Sequence, residues 1–155
     1  MNTRKCGGIG VAAWALAIGG VVAFAQQTQE RKTAHPQHDE MTQACAKACS
    51  DCQRACDSCA THCAYMLHEG KKEHLTTVMS CQDCATICAT AAQIVSRGGP
   101  QSVLICDCCA KACDQCGTAC EKFPNDEHMK TCAEECRKCE NACRAMVKHR
   151  HARRL

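Results

Sequence analysis

The stretch CAKACSDCQRACDSCATHC spans residues 45–63 and sets cysteines at positions 45, 49, 52, 56, 59 and 63. The intervals alternate four and three, the spacing of the apolar seam of a bundled helix, so these side chains share one face. Three further segments repeat the pattern: Cys81, Cys84 and Cys88; Cys106, Cys109, Cys113, Cys116 and Cys120; and Cys132, Cys136, Cys139 and Cys143. Only Cys108 falls off the seam after residue 25.

The breaks between segments are marked. Glu69-Gly70-Lys71-Lys72 ends the first, Gly98-Gly99-Pro100 the second, and Phe123-Pro124-Asn125-Asp126 the third, with Asn125 or Asp126 as a helix N-cap. Short connections make successive helices antiparallel neighbours, and no alternating strand pattern competes. The fold class expected is all-α, an antiparallel up-down-up-down four-helix bundle over residues 39–150, with a cysteine-lined core.

Composition agrees. The chain of 155 residues holds 20 Cys against one Trp, one Tyr and two Phe. Leu, Ile, Val and Phe are too few for an ordinary interior, so cysteine must fill core positions as a small buried hydrophobe.

Residues 1–25 read as a secretory signal peptide. Arg4 and Lys5 precede an uncharged run from Gly7 to Val22, and Ala23-Phe24-Ala25 offers a small-x-small cleavage site. Cleavage there would remove Cys6 and imply an exported, periplasmic protein. Residues 26–38 read as a flexible leader and 151–155 as a basic tail. Without the first 25 residues, 17 basic residues face 16 acidic ones, which gives no electrostatic footprint for nucleic acid. The basic run from Lys148 to Arg154 suits a helix C-terminus.

Antiparallel order sorts the remaining side chains to two ends. One end collects Ile94, Val95, Val103, Leu104, Ile105, Met146 and Val147, a hydrophobic plug. The other collects Met66, His68, His74, Met79, Phe123, His128 and Met129. Met66 and Met129 continue the cysteine phase by one layer and His74 by two, so this end is expected to be the mouth of a metal store. His68 and His128 are expected in solvent. His35, His38 and Met41 form a weaker surface candidate, and Cys108 is either an added ligand for a crowded site or a buried spectator.

Thiols three or four residues apart have Cβ atoms about 5–6 Å apart, wider than a disulfide wants, yet two sulfurs can swing inward onto one ion. Soft thiolate and thioether ligands favour Cu(I), though zinc also takes thiolates. Charge separates the two. One Cu(I) per thiolate leaves a buried column neutral, whereas Zn(II) on four thiolates keeps two negative charges. No segment has the spacing of an iron–sulfur run, and no βαβ context supports a thioredoxin-like site. A thiol redox buffer, a zinc protein and a disulfide-stabilised scaffold remain as alternatives. No nucleophile stands with an in-phase base, so no enzyme is expected.

The cysteine runs at 45–63 and 106–120, with the shorter runs around them, resemble the bacterial four-helix-bundle copper storage proteins from about Asp39 to Met146. The resemblance implies a non-enzymatic bundle that folds without metal, takes many Cu(I) ions through one open end lined by Met or His, and assembles as a homotetramer. It implies the eighteen in-phase cysteines as ligands, and copper donor or acceptor proteins as partners. Some exported members carry a twin-arginine signal; here the only basic pair is Arg4-Lys5.

Overall fold

A computed structural model describes residues 39–152. Four α-helices follow in order: α1, Glu40–His68; α2, Leu75–Ser96; α3, Ser102–Cys120; and α4, Glu127–Ala152. A single 3-10 turn, Lys72–His74, leads into α2. There is no strand among the described residues. None of these helices is long and apolar enough to cross a membrane.

Local chemistry sets the ends. The Asp39 carboxylate accepts a hydrogen bond from the Met41 amide at 3.3 Å and caps α1. Asp126 Oδ1 accepts from the amides of His128 at 2.9 Å and Met129 at 3.2 Å, so Asp126 rather than Asn125 caps α4. Gly70 and Gly98 turn the chain after α1 and α2 at φ of 86° and 61°, values that a side chain resists. The last helix continues to Ala152, two residues into the expected tail.

Helix α1 packs against α2 and α4, and α3 packs against the same two, which is the square arrangement of an up-down-up-down bundle. The solvent faces carry ion pairs, such as Lys47 with Asp51 at 2.6 Å. Arg137 of α4 reaches Asp114 on α3 at 2.6 Å and Glu121, just past the end of α3, at 2.8 Å. Inside, the eighteen seam cysteines are all buried, together with Ala46, Ala60, Ala85, Ala91, Ala110 and Ala133. Small side chains on every inner face leave one narrow axial column, filled by sulfur.

The plug end forms in part, with Ile94 and Val103 only half-buried. Val95 and Met146 are fully buried, and Ile105 and Val147, half-buried, pack against the core. Leu104, expected in the plug, is 68% exposed. Counting back four residues from Cys106 reaches Ser102, which takes the seam station and is buried. Leu104 lies two residues from Cys106 and so faces outward.

Candidate metal centre

Each of the eighteen seam sulfurs lies within 4.0 Å of another sulfur, and the contacts join into one network. It starts at the plug with Cys106–Cys45 at 3.8 Å, Cys45–Cys143 at 3.9 Å and Cys143–Cys49 at 3.6 Å. It continues through Cys49–Cys139 at 3.7 Å, Cys139–Cys109 at 3.8 Å and Cys109–Cys113 at 3.9 Å. Cys52 bridges the middle, 3.8 Å from both Cys113 and Cys136. Beyond it come Cys136–Cys56 at 3.7 Å, Cys56–Cys116 at 3.9 Å and Cys116–Cys81 at 3.6 Å. Cys81–Cys120 at 3.9 Å and Cys120–Cys59 at 4.0 Å complete the thiol path. Cys84, Cys88 and Cys132 join from the sides, at 3.8 Å from Cys113, 3.6 Å from Cys109 and 3.9 Å from Cys56.

Most of these contacts cross between helices. The set Cys59, Cys81, Cys120 and Cys132 takes one thiol from each helix, with all four sulfurs within 4.8 Å of one another. Pairs within one helix, expected from the spacing alone, also occur, as at Cys52–Cys56, 3.8 Å apart. The described cysteines are all free thiols, and their separations are far above the roughly 2.05 Å of a disulfide bond.

Each S–H···S bond favours the thiolate of one partner at the expense of the other, so the shifts alternate along the column. Cys52, Cys109 and Cys116 are pulled down by hydrogen bonds from neighbouring thiols, against burial. Cys81, Cys136 and Cys139 are pushed up by such bonds, with burial adding to the effect. At the two ends the direction is upward. Hydrogen bonding with Cys59, and then burial, pushes the Cys63 thiol up to about 12. At Cys106 the bond to Cys143 pulls down, but the bond to Cys45 and burial outweigh it, and the thiol is raised to about 12. A low-dielectric core without a counter-cation disfavours charge, and burial pushes each of these thiols toward its neutral form.

The mouth end closes over this column. Met129 is fully buried, and its thioether accepts from Cys59 at 3.4 Å and from Cys63 at 4.0 Å, so it joins Cys63 to the network. His74 is 4% exposed and lies stacked on Phe123 at a ring separation of 4.2 Å; its Nδ1 is buried without a hydrogen-bond partner. Met66 is half-buried, and its sulfur accepts from the Lys71 ammonium at 3.2 Å rather than from a thiol. His68 and Met79 are exposed. Cys108 is exposed and not among the sulfurs of the network, which corrects the idea of a buried spectator. It sits one residue before Cys109 and two after Cys106, off the inner face. Met41 packs in part on the core, while His35 and His38 lie outside the described residues, as do residues 1–25.

Two mouth residues carry no seam signal. His62 Nε2 lies 2.7 Å from Asp126 Oδ2, and its ring stacks on His128 at 4.5 Å. His62 follows Cys59 by three residues, a flanking position that could have marked it. Asp126 is thus cap and clasp at once. Burial pushes its carboxyl up, but the bonds from His62 and the α4 amides outweigh this and hold it below the usual carboxylate range. Asp126→Ala removes both contacts and is expected to cost the metal-free bundle about 1–2 kcal/mol. A urea unfolding midpoint equal to that of the parent protein would refute this.

A bundle whose core is a column of free thiols belongs to the class of proteins that sequester soft metal ions. The model of the copper storage protein family, Csp, matches residues 37–148, and the chain belongs to that family. Among solved structures it is similar to the Cu(I)-bound copper storage protein BsCsp3, with 36% identity and a TM-score of 0.62 over 70% of this chain and 99% of that one. The apo copper storage protein 3 from Bacillus subtilis shares 34% identity, with a TM-score of 0.61 over 68% and 98%. A cytosolic copper storage protein from Streptomyces lividans, solved with five coppers, shares 29% identity, with a TM-score of 0.65 over 70% and 93%. No curated protein matches the chain.

These relatives correct one expectation. The Streptomyces lividans protein is cytosolic, which overturns the periplasmic location inferred from residues 1–25.

Proposed function

We propose that this chain stores Cu(I) on the eighteen seam cysteines and exchanges it at the end built by Cys63, Met129 and His74. The observation that carries the proposal is the continuity of the sulfur network from Cys106 to Met129. An ion entering at one end always has a next ligand within reach. Each ion displaces one proton, Cu(I) + RSH giving Cu–SR + H⁺, so a filled column stays neutral. Thioether Met129 binds without charge and more weakly than thiolate, which suits it to exchange. His74, with a buried and unpartnered nitrogen, is the next ligand outward. Met66 and Cys108 stand outside the network and are left out.

The bundle works as a homo-oligomer in this proposal, a tetramer as the family resemblance implies. Tyr65, Leu75, Met79 and Leu104 are exposed apolar side chains that assembly would cover. Copper donor and acceptor proteins would meet the mouth.

Titration of the reduced protein with Cu(I) against a competing chelator is expected to saturate near one ion per core cysteine, about 18 per chain, by the neutrality of the filled column. Saturation after about four or five ions would reject the proposal, because isolated tetrathiolate sites would then account for the binding.

A further inference from the structure

The core sulfurs are also arranged in fours. Cys52, Cys84, Cys88 and Cys113 form one set and Cys56, Cys116, Cys132 and Cys136 another, each with all four sulfurs within 4.8 Å of one another. In the first set Cys88–Cys113 measures 3.6 Å, Cys84–Cys113 and Cys52–Cys113 3.8 Å, and Cys84–Cys88 3.9 Å. A tetrahedral ion with metal–sulfur bonds of about 2.3 Å has sulfur–sulfur edges of about 3.8 Å. Four of the six edges of this set thus already have the length a tetrahedral thiolate site requires, and the other two lie within 4.8 Å.

The sets also overlap. Cys52 and Cys84 belong to a third set with Cys56 and Cys136, and Cys132 is shared with Cys59, Cys81 and Cys120. Overlap decides the charge. An isolated tetrathiolate site for a divalent ion carries two negative charges, which a buried column without cations resists. When each thiolate bridges two ions, every ion keeps four sulfurs while its share is two thiolates, and the charge vanishes.

We propose that the column is also a binding site for thiophilic divalent d10 ions, Zn²⁺ and its softer congener Cd²⁺, held in sulfur-bridged tetrahedra. This second cargo rests on the same column as the copper reading. Loading follows M²⁺ + 2 RSH giving M(SR)₂ + 2 H⁺, with no change of oxidation state. Neutrality caps the load on eighteen thiolates at about nine divalent ions, half the copper capacity. Divalent and monovalent ions compete for the same sulfurs.

The test uses the full-length reduced protein, dialysed to equilibrium against Cd²⁺ and, separately, Co²⁺, with Cu(I) titrated in parallel. Cadmium is expected to saturate at no more than about nine ions per chain, as neutrality requires. Cobalt is expected to show the intense visible bands of a tetrahedral thiolate site, bleached on adding Cu(I). In a Cys52→Ser/Cys84→Ser variant, which removes two shared sulfurs, cadmium capacity falls. Absence of cadmium binding while copper loads, an octahedral cobalt spectrum, or capacity unchanged in the variant each overturns the proposal and leaves copper storage standing. Failure of both metals to load overturns both.

Discussion

Replacing Cys52 and Cys84 together by valine is expected to cut Cu(I) capacity to about eight ions per chain, far more than the two ligands removed, since each thiolate neutralises one ion. Both sulfurs belong to two central sets of four, and Cys52 links the two halves of the network. With hydrocarbon in their place, Cys45, Cys49, Cys88, Cys106, Cys109, Cys113, Cys139 and Cys143 lie beyond a gap in the column. Copper entering past Met129 then fills the near half alone. The same change at the plug, Cys45→Val/Cys106→Val, removes terminal ligands and is expected to lower capacity by only about two. Overpacking costs about 1–3 kcal/mol, so far-ultraviolet circular dichroism of both metal-free variants accompanies the titration. Equal losses in the two folded variants would sink the idea of filling from one end.

The second large effect is on pH. Cys63 and Cys106 are raised to about 12 and hold their protons throughout the neutral range. Every ion bound at such a thiol releases a proton, so binding weakens as pH falls, by about tenfold per unit and ion. Between pH 7 and pH 5 the affinity of an average site is expected to drop about a hundredfold under the same linkage. Chelator competition at the two pH values, corrected for protonation of the chelator, measures this. An affinity independent of pH would mean that the column holds thiolates before copper arrives, contrary to its burial.

The fold was legible because the cysteines mark the inner face at nearly every turn. Once the phase is set by Cys45–Cys63, each neighbour's side follows. Ser102 and Met129 continue the seam inward, while Leu104 and Met79, each two residues before a seam cysteine, face out. Placing Leu104 in the plug ignored that count. The mouth was less legible. Met129 and His74 are in phase and buried as the count requires, but the clasp between His62 and Asp126 joins residues 64 positions apart. Periodicity within one helix carries no trace of a contact between a flank of α1 and the cap of α4. Nor does spacing alone show that thiols from different helices group in fours, since that depends on how closely the small residues let the rods approach.

The shortness of α2's cysteine run has a lasting consequence. Its register continues past Cys88 through Ala91 and Val95, both fully buried, so two stations on the axis are held by hydrocarbon. Holding power in such a molecule grows with rod length and register occupancy, at about two stations per heptad on each rod. Lineages could raise or lower their reserve by exchanging single inward residues at the far end, with no new architecture and no change at the gate.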